Sequence, residues 1–239
     1  MILLTITTHS FIADPHPHPE RFDSFTTAVP AVRWVNHPNI GVVPAMQQAY
    51  EEYGSHHDII CYVHDDVSCF DPNWAERVRA EFDDPKVAIV GFGGATGIGV
   101  DDIYKQRYQI EQLQRINYAS NDTEWETHGS FEDGARDVAV CDGFFLAIRT
   151  AALKEIGGWR GFNFNFHMYD AYVSLALAER GWKTRMVGCK VHHHGGGTST
   201  TEGYRKWCIE NGTTMEREHE TPHRFIYERF RDILPLRVK

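Results

Sequence analysis

The sequence predicts an α/β fold with a largely parallel central sheet flanked by helices, and three observations predict it. Continuously apolar runs of strand length recur, as in Ile59-Ile60-Cys61-Tyr62-Val63 and again over 86–90. Runs of this kind fit strands covered on both faces. Segments with helical spacing of apolar residues lie between them, and glycines or an Asp-Pro pair punctuate their ends.

The elements follow in order. Residues 1–8 read as a first strand, with no basic residues ahead of the apolar stretch as a secretory leader would carry. Prolines recur through 14–19, which excludes regular structure there. Residues 22–32 read as a short helix, and 32–35 as a short strand ending at the turn Asn36-His37-Pro38-Asn39. Over 41–54, Val43, Met46, Tyr50 and Tyr53 fall on one helical face, and Gly54 closes it. After the 59–63 strand, Asp71 as an N-cap and Pro72 at the first helical position open a helix to residue 82. Strand 86–90 runs into the glycine-rich stretch 91–99. From 100 to 136 the pattern is polar, aromatic and irregular, with one helix near 104–116, and reads as an insertion or lid. Regularity returns over 138–149, then a helix over 150–156 stops at Gly157 and Gly158. Asp170 starts a helix through Arg180, and 183–191 form a last strand. Residues 195–239 are charged, partly helical and expected to wrap the domain, so that 1–239 form a single domain.

Composition excludes several classes. The chain has 33 acidic against 24 basic residues, a formal charge of −9, which disfavours nucleic acid or an anionic membrane surface as the main partner. No apolar run approaches the ~20 residues of a membrane span. The five cysteines are odd in number, scattered and outside any C-x-x-C spacing. That suggests neither a disulfide framework nor a cysteine zinc site, and a cytoplasmic, reducing setting is expected.

Two clusters follow strands. His64-Asp65-Asp66 places adjacent carboxylates at a strand end, where a divalent cation would neutralise them. Carboxylate oxygens suit Mg²⁺ or Mn²⁺, and an imidazole beside them favours Mn²⁺. The plainer alternative is that one aspartate caps a turn. His192-His193-His194 follows the last strand and precedes three glycines. Successive residues of an extended segment point in opposite directions, so one or two of the three face a common site, unless the segment is a solvated loop. Asp170 at a helix start is either an N-cap or a general base. Trp159, Phe162, Phe164, Phe166 and Tyr169 precede or adjoin it and suit either a sugar-binding wall or a core. The glycine stretch 91–99 fails the dinucleotide fingerprint because Thr96 stands where the third glycine belongs.

Taken together, these pieces resemble the GT-A glycosyltransferases, specifically a family-2-like group with H-x-D in place of D-x-D. The resemblance runs from 41 to 194 in the family's order. Gly41-Val42-Val43-Pro44-Ala45-Met46 resembles the helix before the metal strand, and Tyr62-Val63-His64-Asp65-Asp66-Val67 the metal motif. Cys141-Asp142-Gly143-Phe144 through Arg149 resembles the acceptor-side strand, and Tyr169-Asp170 through Trp182 the E-D helix, with tyrosine in place of the glutamate. The resemblance implies a nucleotide-sugar-binding fold that transfers a sugar from a nucleotide-diphosphate donor to a carbohydrate or other hydroxyl acceptor, with inversion. It implies Asp66 as the principal carboxylate for Mn²⁺ or Mg²⁺ with His64 or Asp65 beside it, and His193 or His194 as the distal ligand. It further implies Asp170 as the base and Asp142 as a donor- or acceptor-sugar contact; Trp159 and Tyr169 are expected sugar contacts from the aromatic wall, and Thr7, Asn36 and Asp65 are expected donor contacts. A metal-dependent hydrolase and a non-catalytic carbohydrate- or nucleotide-binding domain of the same fold are the rival expectations.

Overall fold

The structure, a computed structural model, describes residues 2–7, 23–25, 41–64, 66–99, 109–113, 116–118, 125–127, 134–193 and 202–238. In chain order the elements are β1 (Ile2–Thr7), α1 (Val42–Tyr53), β2 (Ile59–His64), β3 (Val67–Cys69), α2 (Trp74–Glu81), β4 (Val87–Gly91), β5 (Gly94–Ile98), β6 (Gln109–Leu113), β7 (Ile116–Tyr118), β8 (Trp125–Thr127), β9 (Ala135–Val138), β10 (Val140–Cys141), β11 (Phe145–Arg149), α3 (Thr150–Glu155), α4 (Tyr169–Ala178), β12 (Lys183–Val187), β13 (Val191–His193), α5 (Glu202–Glu210), α6 (Met215–Phe230) and β14 (Leu236–Arg237).

A six-stranded sheet in the order β1-β2-β11-β4-β12-β9 forms the centre. The pairs β1/β2 and β4/β12 are parallel, while β11 runs antiparallel to both β2 and β4, and β9 antiparallel to β12. Four strands therefore share one direction, and the sheet is mixed where a largely parallel one was expected. The physical reason is that β11 is apolar and buried through Ile148, as a parallel interior strand would be, and strand direction leaves no mark on such a run.

Side-chain alternation divides each interior strand between two cores. Ile60 and Tyr62 of β2, with Leu146 and Ile148 of β11, join the core under α1 and α4. Ile59, Cys61 and Val63, with Phe145 and Ala147, join the core that holds Trp74 and Val78 of α2. Burial on both faces is what makes these runs continuously apolar. A smaller sheet, β10-β5-β14 with β6 also on β5, lies against the first. Described parts of the C-terminal segment pack on the rest of the chain. Phe225 packs its ring against Phe162 and Phe164, Arg229 of α6 makes a two-armed pair with Glu179, and β14 closes on β5.

Several boundaries differ from the sequence reading. Helix α2 begins at Trp74 because Asp71 Oδ1 accepts from Asn73 N (2.9 Å) and holds a turn ahead of it. The expected 183–191 strand is two strands. Gly188 N donates to Gly134 O (2.8 Å) and Phe70 N to Lys190 O (2.9 Å), so the chain leaves the central sheet and β13 pairs with β3. Within the expected helix near 104–116, residues 109–113 are strand β6 because they ladder onto β5, which itself occupies the glycine-rich stretch. Of the expected 22–32 helix, 23–25 are described and are helical, while 32–35 lie outside the described residues. No helix among the described residues is long and apolar enough to cross a membrane.

Candidate functional site

The site lies beyond the carboxyl end of β2, where α/β sheets place ligands. β2 delivers His64. The chain continues through Asp66 into β3, whose antiparallel ladder with β13 sets Val67 opposite His193. That register brings His193 alongside Asp66, with Nε2 3.2 Å from Oδ1. His64 Nδ1 lies 3.8 Å from the same oxygen, and the two imidazoles sit 5.6 Å apart, edge to face. One ligand atom from each of His64, Asp66 and His193 lies within 4.8 Å of the others. Their side chains are 16%, 28% and 20% exposed. His192, one residue earlier, is buried, in keeping with strand alternation.

Because β11 is antiparallel, its amino end meets the carboxyl end of β2. The loop Asp142-Gly143-Phe144 is thereby carried into the site. His64 N donates to Phe144 O (3.0 Å), and the Phe144 ring stacks on His193 at 5.2 Å. Asp142 N donates to Gly93 O (2.8 Å), which ties the loop to the smaller sheet. Gly143 is required here. A Cβ at this position would fall on the Tyr169 ring, 2.6 Å from both Cε2 and Cζ.

Helix α4 supplies the remaining groups. It starts after Met168, whose left-handed backbone (φ 65°) turns the chain sharply into the first helical residue. Tyr169 is buried, with its hydroxyl 2.5 Å from His64 Nε2. Burial, then Asp170, Asp142 and Asp66 in that order, push its phenol well above the ordinary tyrosine range. Asp170 accepts from Ala171 N (2.8 Å). Burial, and next the facing Asp142, push its carboxyl up to about 7, against the opposing backbone N–H groups of Ala171, Asp170 and Gly143. A carboxyl poised there can exchange a proton near neutrality.

Of the residues singled out in the sequence, His64, Asp66, His193, Asp142, Tyr169 and Asp170 thus gather in one region. Asp65, His194 and Asn36 lie outside the described residues. Thr7 stands opposite His64 in the β1/β2 register, at the same end of the sheet. Trp159 is 1% exposed, with Nε1 3.4 Å from the Tyr62 hydroxyl, so both it and Tyr169 present core rings here, not an open wall. Sequence reasoning included Gly143 and Phe144 in the acceptor-side strand but gave neither a role in the site. Their signal was the stretch Cys141-Asp142-Gly143-Phe144 before a buried strand.

No protein-family model and no curated protein matches the chain. Among solved structures it resembles the mannosyltransferase PcManGT from Pyrobaculum calidifontis in complex with GDP-Man and Mn²⁺. The TM-score is 0.50 at 12% identity, over 93% of this chain and 64% of that one. The fold is of the GT-A type. Two further likenesses are weaker. One is GalNAc-T7 with UDP, GalNAc and Mn²⁺ (TM-score 0.49, 9% identity, 96% of this chain and 57% of that one). The other is A197 from STIV (0.47, 14%, 79% and 82%). The chain therefore spans less than two thirds of the length of either glycosyltransferase. In this GT-A-type fold the His64, Asp66, His193 group has the chemistry of a divalent-cation site: two imidazoles and one carboxylate fit Mn²⁺ better than Mg²⁺, which prefers oxygen.

Proposed function

We propose that this chain is a metal-dependent glycosyltransferase that moves a sugar from a nucleotide-diphosphate donor to a hydroxyl acceptor with inversion. The observation that supports it most is the meeting of His64, Asp66 and His193 at the carboxyl end of β2, on the same side as Asp170. These three residues would hold Mn²⁺, or Mg²⁺ in its place. When bound, the cation would stabilise the charge that gathers on the leaving diphosphate.

The rest falls to the chain's own groups. Asp170 takes the proton of the acceptor hydroxyl, and its raised pKa makes it a stronger base than an ordinary aspartate. Asp142, after burial, holds that pKa up, and it would contact a sugar hydroxyl. A base on the face of the sugar opposite the diphosphate gives direct displacement, hence inversion. Thr7, Asn36 and Asp65 remain proposed donor contacts and His194 a proposed alternative distal ligand, while Trp159 and Tyr169, both buried, would back the sugar site from the core instead of touching the sugar.

The test is a thermal-shift screen of UDP-, GDP-, CMP- and dTDP-linked sugars with Mn²⁺, since a ligand bound by the folded state raises the melting temperature. One donor class should shift the wild type, and Asp66→Ala should abolish that shift. A shift that survives Asp66→Ala leaves the acid structural. Donor loss measured with and without acceptor then separates a transferase from a hydrolase. Loss that never depends on acceptor overturns the transfer reading.

A further inference from the structure

Tyr169 does more in the structure than a sugar contact requires. Its hydroxyl lies 2.5 Å from His64 Nε2, while the other ring nitrogen of His64, Nδ1, is the one turned to Asp66 at 3.8 Å. A neutral imidazole has one N–H and one lone pair. If Nε2 carries the hydrogen and donates to the Tyr169 oxygen, the lone pair stands on Nδ1, on the side of Asp66 and His193. In the other tautomer Nδ1 carries the hydrogen and cannot bind a cation.

The phenol is held where it is. Tyr169 is the first residue of α4, it is buried, and Trp159 packs edge-on at 6.3 Å. Gly143 leaves the space the ring fills. We propose that Tyr169 is a positioning residue that keeps His64 in the Nε2–H tautomer, so that Nδ1 faces a divalent cation shared with Asp66 and His193. The same residue precedes Asp170, so it ties the cation ligands to the helix that carries the base. The inference rests on the metal reading above.

The experiment measures Mn²⁺ binding by calorimetry on the full chain, with a nucleoside diphosphate present, for the wild type, Tyr169→Phe, His64→Ala and the double variant. Partners of this kind set metal affinity by about 10- to 100-fold, so Tyr169→Phe should weaken Mn²⁺ by about that factor with its circular dichroism unchanged. In the His64→Ala background the same change should cost nothing further, because the tyrosine acts through that ring. Binding by Tyr169→Phe within about twofold of wild type, or losses that simply add, overturns the inference. A wild type that binds no Mn²⁺ overturns the metal reading and this inference together. An independent arm needs no variant. The ¹⁵N shifts of His64 in the metal-free wild type should show a protonated Nε2 and an unprotonated Nδ1, and the reverse pattern overturns the tyrosine's role alone.

Discussion

β2, which ends in His64, is an interior strand with β1 on one side and β11 on the other, whereas β13, which carries His193, is a three-residue strand whose ladder among the described residues is with the equally short β3. The two histidines meet, yet they rest on supports of different strength. His64 is fixed by the packing of the whole sheet. His193 is fixed by a short ribbon and by the Phe144 ring stacked on it. Short ladders open at lower free energy than sheet interiors. A cation bridging the two supports would therefore hold the ribbon against the sheet.

The largest effect is expected on α4, which belongs to the sheet-borne side. Asp170→Asn should lower turnover by about 10² to 10⁴ while Mn²⁺ and donor affinity stay near wild type, and near-normal turnover would remove Asp170 from the reaction. Next, Ile60→Ala in β2 should cost about 2–5 kcal/mol of global stability by urea titration, because Ile60 is fully buried in the core. His193→Ala on the ribbon should cost about 1 kcal/mol or less while weakening Mn²⁺ sharply by calorimetry. Equal losses of stability in those two variants would mean that ribbon and sheet interior are equally firm supports.

A separate effect is on pH dependence. The Asp170 carboxyl is raised from 3.8 to about 7, so between those values the folded chain holds a proton that the unfolded chain releases. Stability from this group is present below pH 3.8 and is lost as pH rises through 7. Turnover runs the other way and should climb through the same upper limit as the base ionises. Asp170→Asn should accordingly raise the melting temperature relative to wild type more at pH 8 than at pH 5, by scanning calorimetry. A difference that is flat with pH would mean that Asp170 is ordinary.

The same contrast explains what the sequence disclosed. β2 and α1 were legible because burial on two faces, or on one helical face, writes itself into apolar spacing over many residues. The ribbon was not legible. Val67-Ser68-Cys69 and Val191-His192-His193 are too short to show a period, and what pairs them is a turn-back at Gly188 that depends on Gly134, far away in the chain. The direction of β11 was equally hidden, and with it the reason Asp142 and Phe144 reach the site. The histidines were conspicuous as types, but which of them faces inward follows from the β3/β13 register. β6 carries a helix-like spacing, and its ladder with β5 overrides it.

The space at Gly143 has a consequence for how this chain can change. The Tyr169 ring occupies the volume that any side chain at 143 would need. The two positions are therefore free to drift only as a couple: in descendants of this sequence, a larger residue at 143 demands a smaller one at 169, and Gly143→Ala alone should be rescued by trimming the ring.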